Sequence, residues 1–230
     1  MVEQPFHKRK IRGPNPLDGT MKILEIKSIV FPEVKIIRYA RFFDDRGFFT
    51  ESFRKSDIIN NSEFKFFASQ EILQANVSYS SEGVIRGLHF QWKPDQGKLI
   101  RVIEGAMIDV FLDIRKESPS FGKIGAVKLE SSPENQDETM LWIPPGFAHG
   151  FAVLKKMYME YFCTAEYSPK TEAGIFPLSQ DIDWSLCEQD LKKEFDEIAK
   201  KAVFSDKDKL GLSVNQWKKD PRSDNFIYKV

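Results

Sequence analysis

Two of the chain's three histidines sit where an imidazole could handle a proton. His89 lies between large apolar residues in "GVIRGLHFQ", and His149 follows a proline–glycine turn in "IPPGFAHGFAVL". An ordinary imidazole has a pKa of about 6.5, so it can accept a proton near neutrality. A turn can aim a side chain into a barrel mouth, because loops on a rigid scaffold commonly carry function. Taken alone, each histidine reads as a hydrogen-bonded structural group. Company changes that reading. Arg46 in "DDRGFFTE", Asn76 in "QANVSYS", Arg86 in the run of His89, and Lys98 in "QGKLIRV" crowd the same segments. Two arginines and a lysine beside strand-borne histidines suit a diphosphate and an enolate oxygen, although each alone reads as a solvated charge. One spacing is awkward. Arg86 and His89 differ by three, so a regular strand faces them oppositely unless it is twisted or bulged there.

Metal chemistry can be weighed by counting. A small-barrel metal site needs about three or four His, Asp or Glu ligands. The third histidine, His7, lies in the N-terminal tail, and no HxH pair occurs. A mixed histidine–carboxylate site stays open, but a metal-free protein is expected. Cys163 and Cys187 make neither a disulfide framework nor a zinc spacing, so a reducing cytoplasm is the default.

The elements that must position these groups are mostly strands. From 21 to 184 many short strands are separated by turn residues, among them "KLIRVIEG", "AMIDVFLDIR" and "MYMEYFCTAEY". In "AMIDVFLDIR", Ile108, Val110, Leu112 and Ile114 alternate with Met107, Asp109, Phe111 and Asp113, which is the period of a half-buried strand. This spacing argues for an all-β antiparallel sandwich, barrel or jelly roll. After Trp184 the period changes. "SLCEQDLKKEFDEIAKKAVF" carries Leu191, Phe195, Ile198 and Ala202 on one helical face, with Ser185 and Glu188 at capping-box spacing. The expected organisation is a tail over 1–20 that is flexible or docks elsewhere, a core over 21–184, and a helix and extension over 185–230 completing the domain. With 34 basic and 34 acidic residues the charge balances, so no nucleic-acid or membrane-surface partner is expected. No apolar run approaches a membrane span, and the N-terminus lacks a signal-peptide core.

Together, "DDRGFFTESF", "QANVSYSSEGVIRGLHFQ", "QGKLIRVIEGAMIDVFLDIRKESPSFGK", "WIPPGFAHGFAVL" and "AEYSPKTEAGI" resemble the dTDP-4-dehydrorhamnose 3,5-epimerase family over about 23–184, with a continuation at "FSDKDKLGL". The resemblance implies a cupin-type jelly-roll barrel, here with an added C-terminal helix, forming a homodimer and using no cofactor. It implies a nucleotide-linked 4-keto-6-deoxyhexose as substrate, inverted at C3, C5 or both. Residue by residue, His89 matches the proton-abstracting histidine and Tyr161 the opposing acid, with Tyr158 the competing position. Asp208 matches the aspartate that orients the histidine, and Lys98 would face the enolate oxygen. Tyr167 matches an aromatic that stacks on the base. Arg46, Glu51, Asn76, Arg86 and His149 match residues lining the sugar or diphosphate. The sequence departs from the pattern at "GIFPLSQDIDW", and a helix is inserted before the Asp208 motif. Single-centre epimerases, ketoisomerases, GDP- or CDP-linked substrates and a non-catalytic nucleotide-sugar-binding cupin therefore remain alternatives.

Overall fold

The structure is a computed structural model that describes residues 21–65, 67 and 70–228. The expected tail over 1–20 lies outside the described residues. Eleven strands run in order: β1 Ile23–Ile29, β2 Phe31–Ala40, β3 Phe42–Asp44, β4 Gly47–Phe49, β5 Gln74–Ser80, β6 Ile85–Gln91, β7 Lys98–Asp113, β8 Ile124–Ser131, β9 Asp137–Ile143, β10 Phe147–Cys163 and β11 Glu172–Gly174. Among the described residues four α-helices accompany them: α1 Lys55–Asn60, α2 Gln189–Ala199, α3 Asp206–Lys209 and α4 Val214–Lys219.

All described strand pairs are antiparallel. The main sheet runs β1-β2-β9-β7-β10-β6-β11, with β5 also on β10, β8 also on β7, and β3-β4 a separate hairpin. The long strands β7 and β10 serve two sets of partners. β7 pairs β9 through residues 98–100 and β8 through 105–112; β10 pairs β6 through 149–152 and β5 through 157–163. Their own ladder shifts register between Val153 and Met159, opposite Gly105. Gly105 has φ +107°, and a Cβ there would lie 2.3 Å from the Lys156 carbonyl oxygen, so the crossing demands glycine. The antiparallel pairing throughout agrees with the sandwich, barrel or jelly roll that the strand spacing predicts.

The strand "AMIDVFLDIR" differs from its half-buried expectation: every residue from Ala106 to Asp113 is buried. Met107 and Phe111 pack inside the barrel, while Ile108, Val110, Leu112 and Ile114 face a second core on the outside. The C-terminal segments close that second core. Phe195 of α2 and Trp217 of α4 are buried there, and the Trp217 indole donates to the Ile114 carbonyl at 3.1 Å. Phe90, the neighbour of His89, packs edge-on against Trp217 at 4.6 Å. The helix itself starts at Gln189, later than the expected capping box. No side chain caps α2, and the Ser185 amide donates to Asp183 Oδ1 at 2.8 Å instead. The chain spends Ser185–Cys187 on a turn, closed by the Cys187 amide on the Trp184 carbonyl, which lets Trp184 pack on Phe195 at 4.9 Å.

Candidate active site

Sheet register brings the chemically capable residues to one place. Directly paired residues on neighbouring strands point to the same face. Lys98 on β7 pairs Cys163 on β10, which pairs Gln74 on β5; one step along, Ile100, Tyr161 and Asn76 form the next row. Farther along the β10 edge that carries β5, His149 pairs His89 of β6, and His89 pairs Gly174 of β11. These rows line a cavity of about 360 Å³, whose walls include Asn76, His89, Lys98, Tyr161, Tyr167 and Glu172. A Cβ at Gly174 would sit 3.2 Å from His89 Cδ2, so glycine leaves the ring its space.

The awkward Arg86–His89 spacing is resolved by a bulge. Three steps on β6, from His89 to Arg86, oppose two on β10, from His149 to Phe151. The extra residue returns Arg86 and His89 to one face. Glycines permit it: Gly87 has φ +108°, and its Cβ would lie 2.5 Å from Gly150 Cα.

His89 is about one-third exposed, and its Nε2 lies 2.8 Å from Asp208 Oδ1. The contact is short but the ring N–H is not squarely aligned on that oxygen, so it is a close polar contact more than a directed hydrogen bond. Asp208 is itself tied down. Ser205 Oγ donates to Oδ2 at 2.7 Å, the Gly87 amide donates to Oδ1 at 3.3 Å, and Ser205 in return caps α3 by accepting from the Asp208 amide. Burial pushes the Asp208 carboxyl upward, but His89, Ser205 and the Gly87 amide outweigh it and hold the group at about 2. It is therefore a carboxylate across the physiological range.

A model of the dTDP-4-dehydrorhamnose 3,5-epimerase family matches residues 28–216. The chain belongs to that family. The epimerase is 37% identical over 204 residues to a dTDP-4-dehydrorhamnose 3,5-epimerase of Methanothermobacter thermautotrophicus, covering 87% of this chain and 91% of that protein. A Neisseria gonorrhoeae protein of the same name is 43% identical over 150 residues, which span 65% of this chain but only 43% of that one. Among solved structures, a dTDP-6-deoxy-D-glucose-3,5-epimerase from Legionella pneumophila, in complex with dTDP-4-keto-L-rhamnose, superposes with a TM-score of 0.72. It is 35% identical, and the match covers 90% of this chain and 99% of that one. The fold of the epimerase is thus the cupin jelly roll.

Within the epimerase's cavity, Lys98 has no carboxylate within ion-pair distance among the described residues. Burial lowers its affinity for a proton, opposed by Cys163, Glu172 and Asp109. Burial, then Cys163, raises the Tyr161 phenol, with Arg86 pulling the other way, so it keeps its proton at neutral pH. Tyr158 does not line this cavity; it is half exposed and packs on Tyr79 at 5.0 Å. Asn76 donates weakly to Cys163 Sγ at 3.7 Å. Tyr167 stands at the mouth, its hydroxyl bonded to Glu172.

Other expected residues lie apart from the cavity lining. Arg46 is exposed and pairs with Asp44 at 2.6 Å, and Glu51 pairs with Arg54. Arg86 is exposed, its Nε donating to Ser80 Oγ at 3.1 Å. His149 is buried beside His89 on the neighbouring strand, with Nε2 2.8 Å from Asp109 Oδ2. Sequence reasoning passed over Gln74, Cys163, Glu172, Lys207 and Asp109. Lys207 Nζ lies 2.6 Å from Glu172 Oε1 at the mouth, and Lys207 precedes Asp208 in the chain. A two-residue period from Asn76 back to Gln74 and from Tyr161 on to Cys163 would have found two of them. Among the described residues no group of three or more His, Cys, Asp or Glu could hold a metal ion. No helix there is long and apolar enough to cross a membrane. A larger groove of about 630 Å³ beneath α2 contains none of the expected site residues.

Proposed function

We propose that the protein inverts C3 and C5 of a dTDP-linked 4-keto-6-deoxyhexose, in deoxysugar synthesis of the rhamnose type, through an enolate. The observation that carries this is the His89–Asp208 contact opening on the same cavity as Lys98 and Tyr161. A C–H beside a ketone becomes acidic only when charge on the departing electron pair can settle on oxygen. Lys98 meets the C4 oxygen and stabilises that charge in a confined site. His89 removes the proton, with the Asp208 carboxylate fixing the ring and stabilising the imidazolium. Tyr161, a phenol that keeps its proton, returns one to the opposite face, and the centre inverts. Oxidation states do not change, so the chemistry calls for no redox cofactor. Tyr167 stacks on the base, and Asn76 contacts the sugar or diphosphate. His149 acts from behind the lining.

The protein acts as a homodimer in the cytoplasm, where Cys163 and Cys187 stay free thiols. The outer face of β5 and β10 supports the dimer: Val77, Tyr79 and Tyr158 are each about half exposed or more. The β3–β4 hairpin adds exposed Phe43, Phe48 and Phe49 beside Arg46. Arg46 and Glu51, apart from their own cavity, then serve the partner's.

The test is incubation with dTDP-4-keto-6-deoxyglucose in D₂O. Deuterium at both C3 and C5 with inverted product is expected. Label at one centre makes the protein a single-centre epimerase, and no label at either sinks the reading.

A further inference from the structure

The β3–β4 hairpin carries Arg46 in its turn, and among the described residues it joins no larger sheet, being a two-stranded ladder of three pairs. A lone hairpin of that length is marginal in water, so its tilt must be fixed from outside. Thr50 Oγ1 donates to the Ala40 carbonyl at 2.8 Å and closes the base, which leaves the tilt open. Arg41 sits at that base, between β2 and β3. With Glu138 of β9 it forms an ion pair whose side chains keep only 1% and 4% of their surface exposed. A guanidinium has five N–H donors, and here each has an acceptor. Nε and Nη2 donate to Glu138 Oε1 at 2.8 and 2.6 Å, and Nη2 also to Ser131 Oγ at 2.9 Å. Nη1 donates to the Ser132 and Asn135 carbonyls at 2.5 and 3.1 Å. Asn135 Oδ1 in turn accepts from the Ser132 amide and hydroxyl, which braces the β8–β9 turn. The guanidinium is thus held in its own plane. Against its face lies the Phe48 ring, with the centroid 4.0 Å away.

A buried ion pair seldom stabilises a fold more than apolar side chains of equal volume, because desolvation offsets the attraction. What this pair adds is direction. A fixed guanidinium plane offers one face, and a cation over a ring is attracted more strongly where water is excluded. Phe48 follows Arg46 and Gly47 in the chain, so holding its ring holds the turn that carries Arg46. We propose that Arg41 is a positioning residue, clamped by Glu138 and the β8–β9 turn, whose guanidinium face seats Phe48 and sets where the hairpin presents Arg46. The inference rests on the reading that Arg46 serves a substrate cavity.

The experiment compares the full-length protein with two variants. Arg41→Met/Glu138→Leu removes both charges and leaves neither unpaired; Arg41→Lys keeps the charge but loses the planar fork. Amide ¹⁵N order parameters over 42–49 read the hairpin, and KM and kcat for dTDP-4-keto-6-deoxyglucose read Arg46. In both variants the hairpin values should fall while those of the barrel strands stay at wild-type level. A displaced Arg46 loses a charge-assisted contact, so KM should rise roughly 10- to 150-fold and kcat should fall by less. A merely structural residue would lower the melting temperature without that split. Unchanged hairpin order in variants with native barrel spectra overturns the inference. Should neither variant fold, Phe48→Leu, at the part-exposed end of the contact, must loosen the hairpin, and its failure to do so overturns the inference equally. A loosened hairpin with unchanged KM supports the clamp and counts against Arg46 at a substrate cavity, separating the two readings.

Discussion

An enolate that never forms and an enolate that is reprotonated on the wrong face leave different traces. If His89 is the base, His89→Asn abolishes both inversion and deuterium incorporation. If Tyr161 is the acid, Tyr161→Phe still exchanges, because the His89 imidazolium can return a deuteron to the face it came from. Inversion is then lost while label at C3 or C5 persists, and Tyr158→Phe behaves as wild type because that ring points away from the cavity. An aligned acid or base contributes roughly 10²–10⁴-fold, well within the reach of an NMR assay. Arg86 shares the His89 face, and a charge-assisted phosphate contact of about 1.5–3 kcal/mol predicts nucleotide-sugar binding weakened roughly 10- to 150-fold in Arg86→Ala. Unchanged affinity would leave Arg86 to its Ser80 contact. Asp208 carries a stability prediction as well. Its carboxyl is depressed in the folded state from 3.8 to about 2. The contribution, on the order of 2 kcal/mol, is therefore full above about pH 4 and lost as pH falls towards about 2. Acid unfolding of Asp208→Asn should lack this slope. His89 and Lys98 were legible because their types stand out in apolar or turn-rich contexts, whereas Asp208 was reached only through the family resemblance of "FSDKD". Asp109 was not, since alternation alone placed it on a face taken to be solvated.

Elements decide whether those residues can meet. The bulge in β6 is what sequence alone left open, because two hydrogen-bonding patterns fit "VIRGLHF" and only packing against β10 selects one. Gly87→Ala tests the selection. Alanine is strained at φ +108°, and its Cβ would fall 2.5 Å from the Gly150 backbone. We expect lower thermal stability and a displaced His89, read as a drop in kcat exceeding any change in KM. A variant with native melting temperature and rate would mean that the bulge relaxes freely. The C-terminal helix shows the opposite balance. Its apolar face, Leu191, Phe195 and Ile198, was legible from a 3.6-residue period, and all three pack on the outer core. Its start was not, because the Trp184–Phe195 contact is a tertiary demand that overrides a local capping signal. The same covering explains why β7 is buried on both faces although its own alternation suggests one.

At the scale of the whole molecule, the resemblance and the single chain place Arg46 and Glu51 differently. The family pattern puts them at the sugar or diphosphate, yet Arg46 lies exposed on the β3–β4 hairpin, and neither residue lines the cavity of its own chain. The homodimer proposed above would reconcile these facts, because a closed symmetric pair could give each site the partner's hairpin. The apolar outer face of β5 supplies a surface for it, and Val77→Lys should shift the sedimentation profile from dimer towards monomer. Mixing inactive variants then decides the geometry. In a heterodimer of His89→Asn with Arg46→Ala, the cavity that retains His89 receives the intact Arg46 of its partner. The other cavity lacks both groups. Equal mixing after subunit exchange makes about half of all dimers heterodimers with one working site in two, so roughly a quarter of wild-type activity should return. If each Arg46 instead served its own cavity, every site in the mixture would lack one group and no activity would reappear.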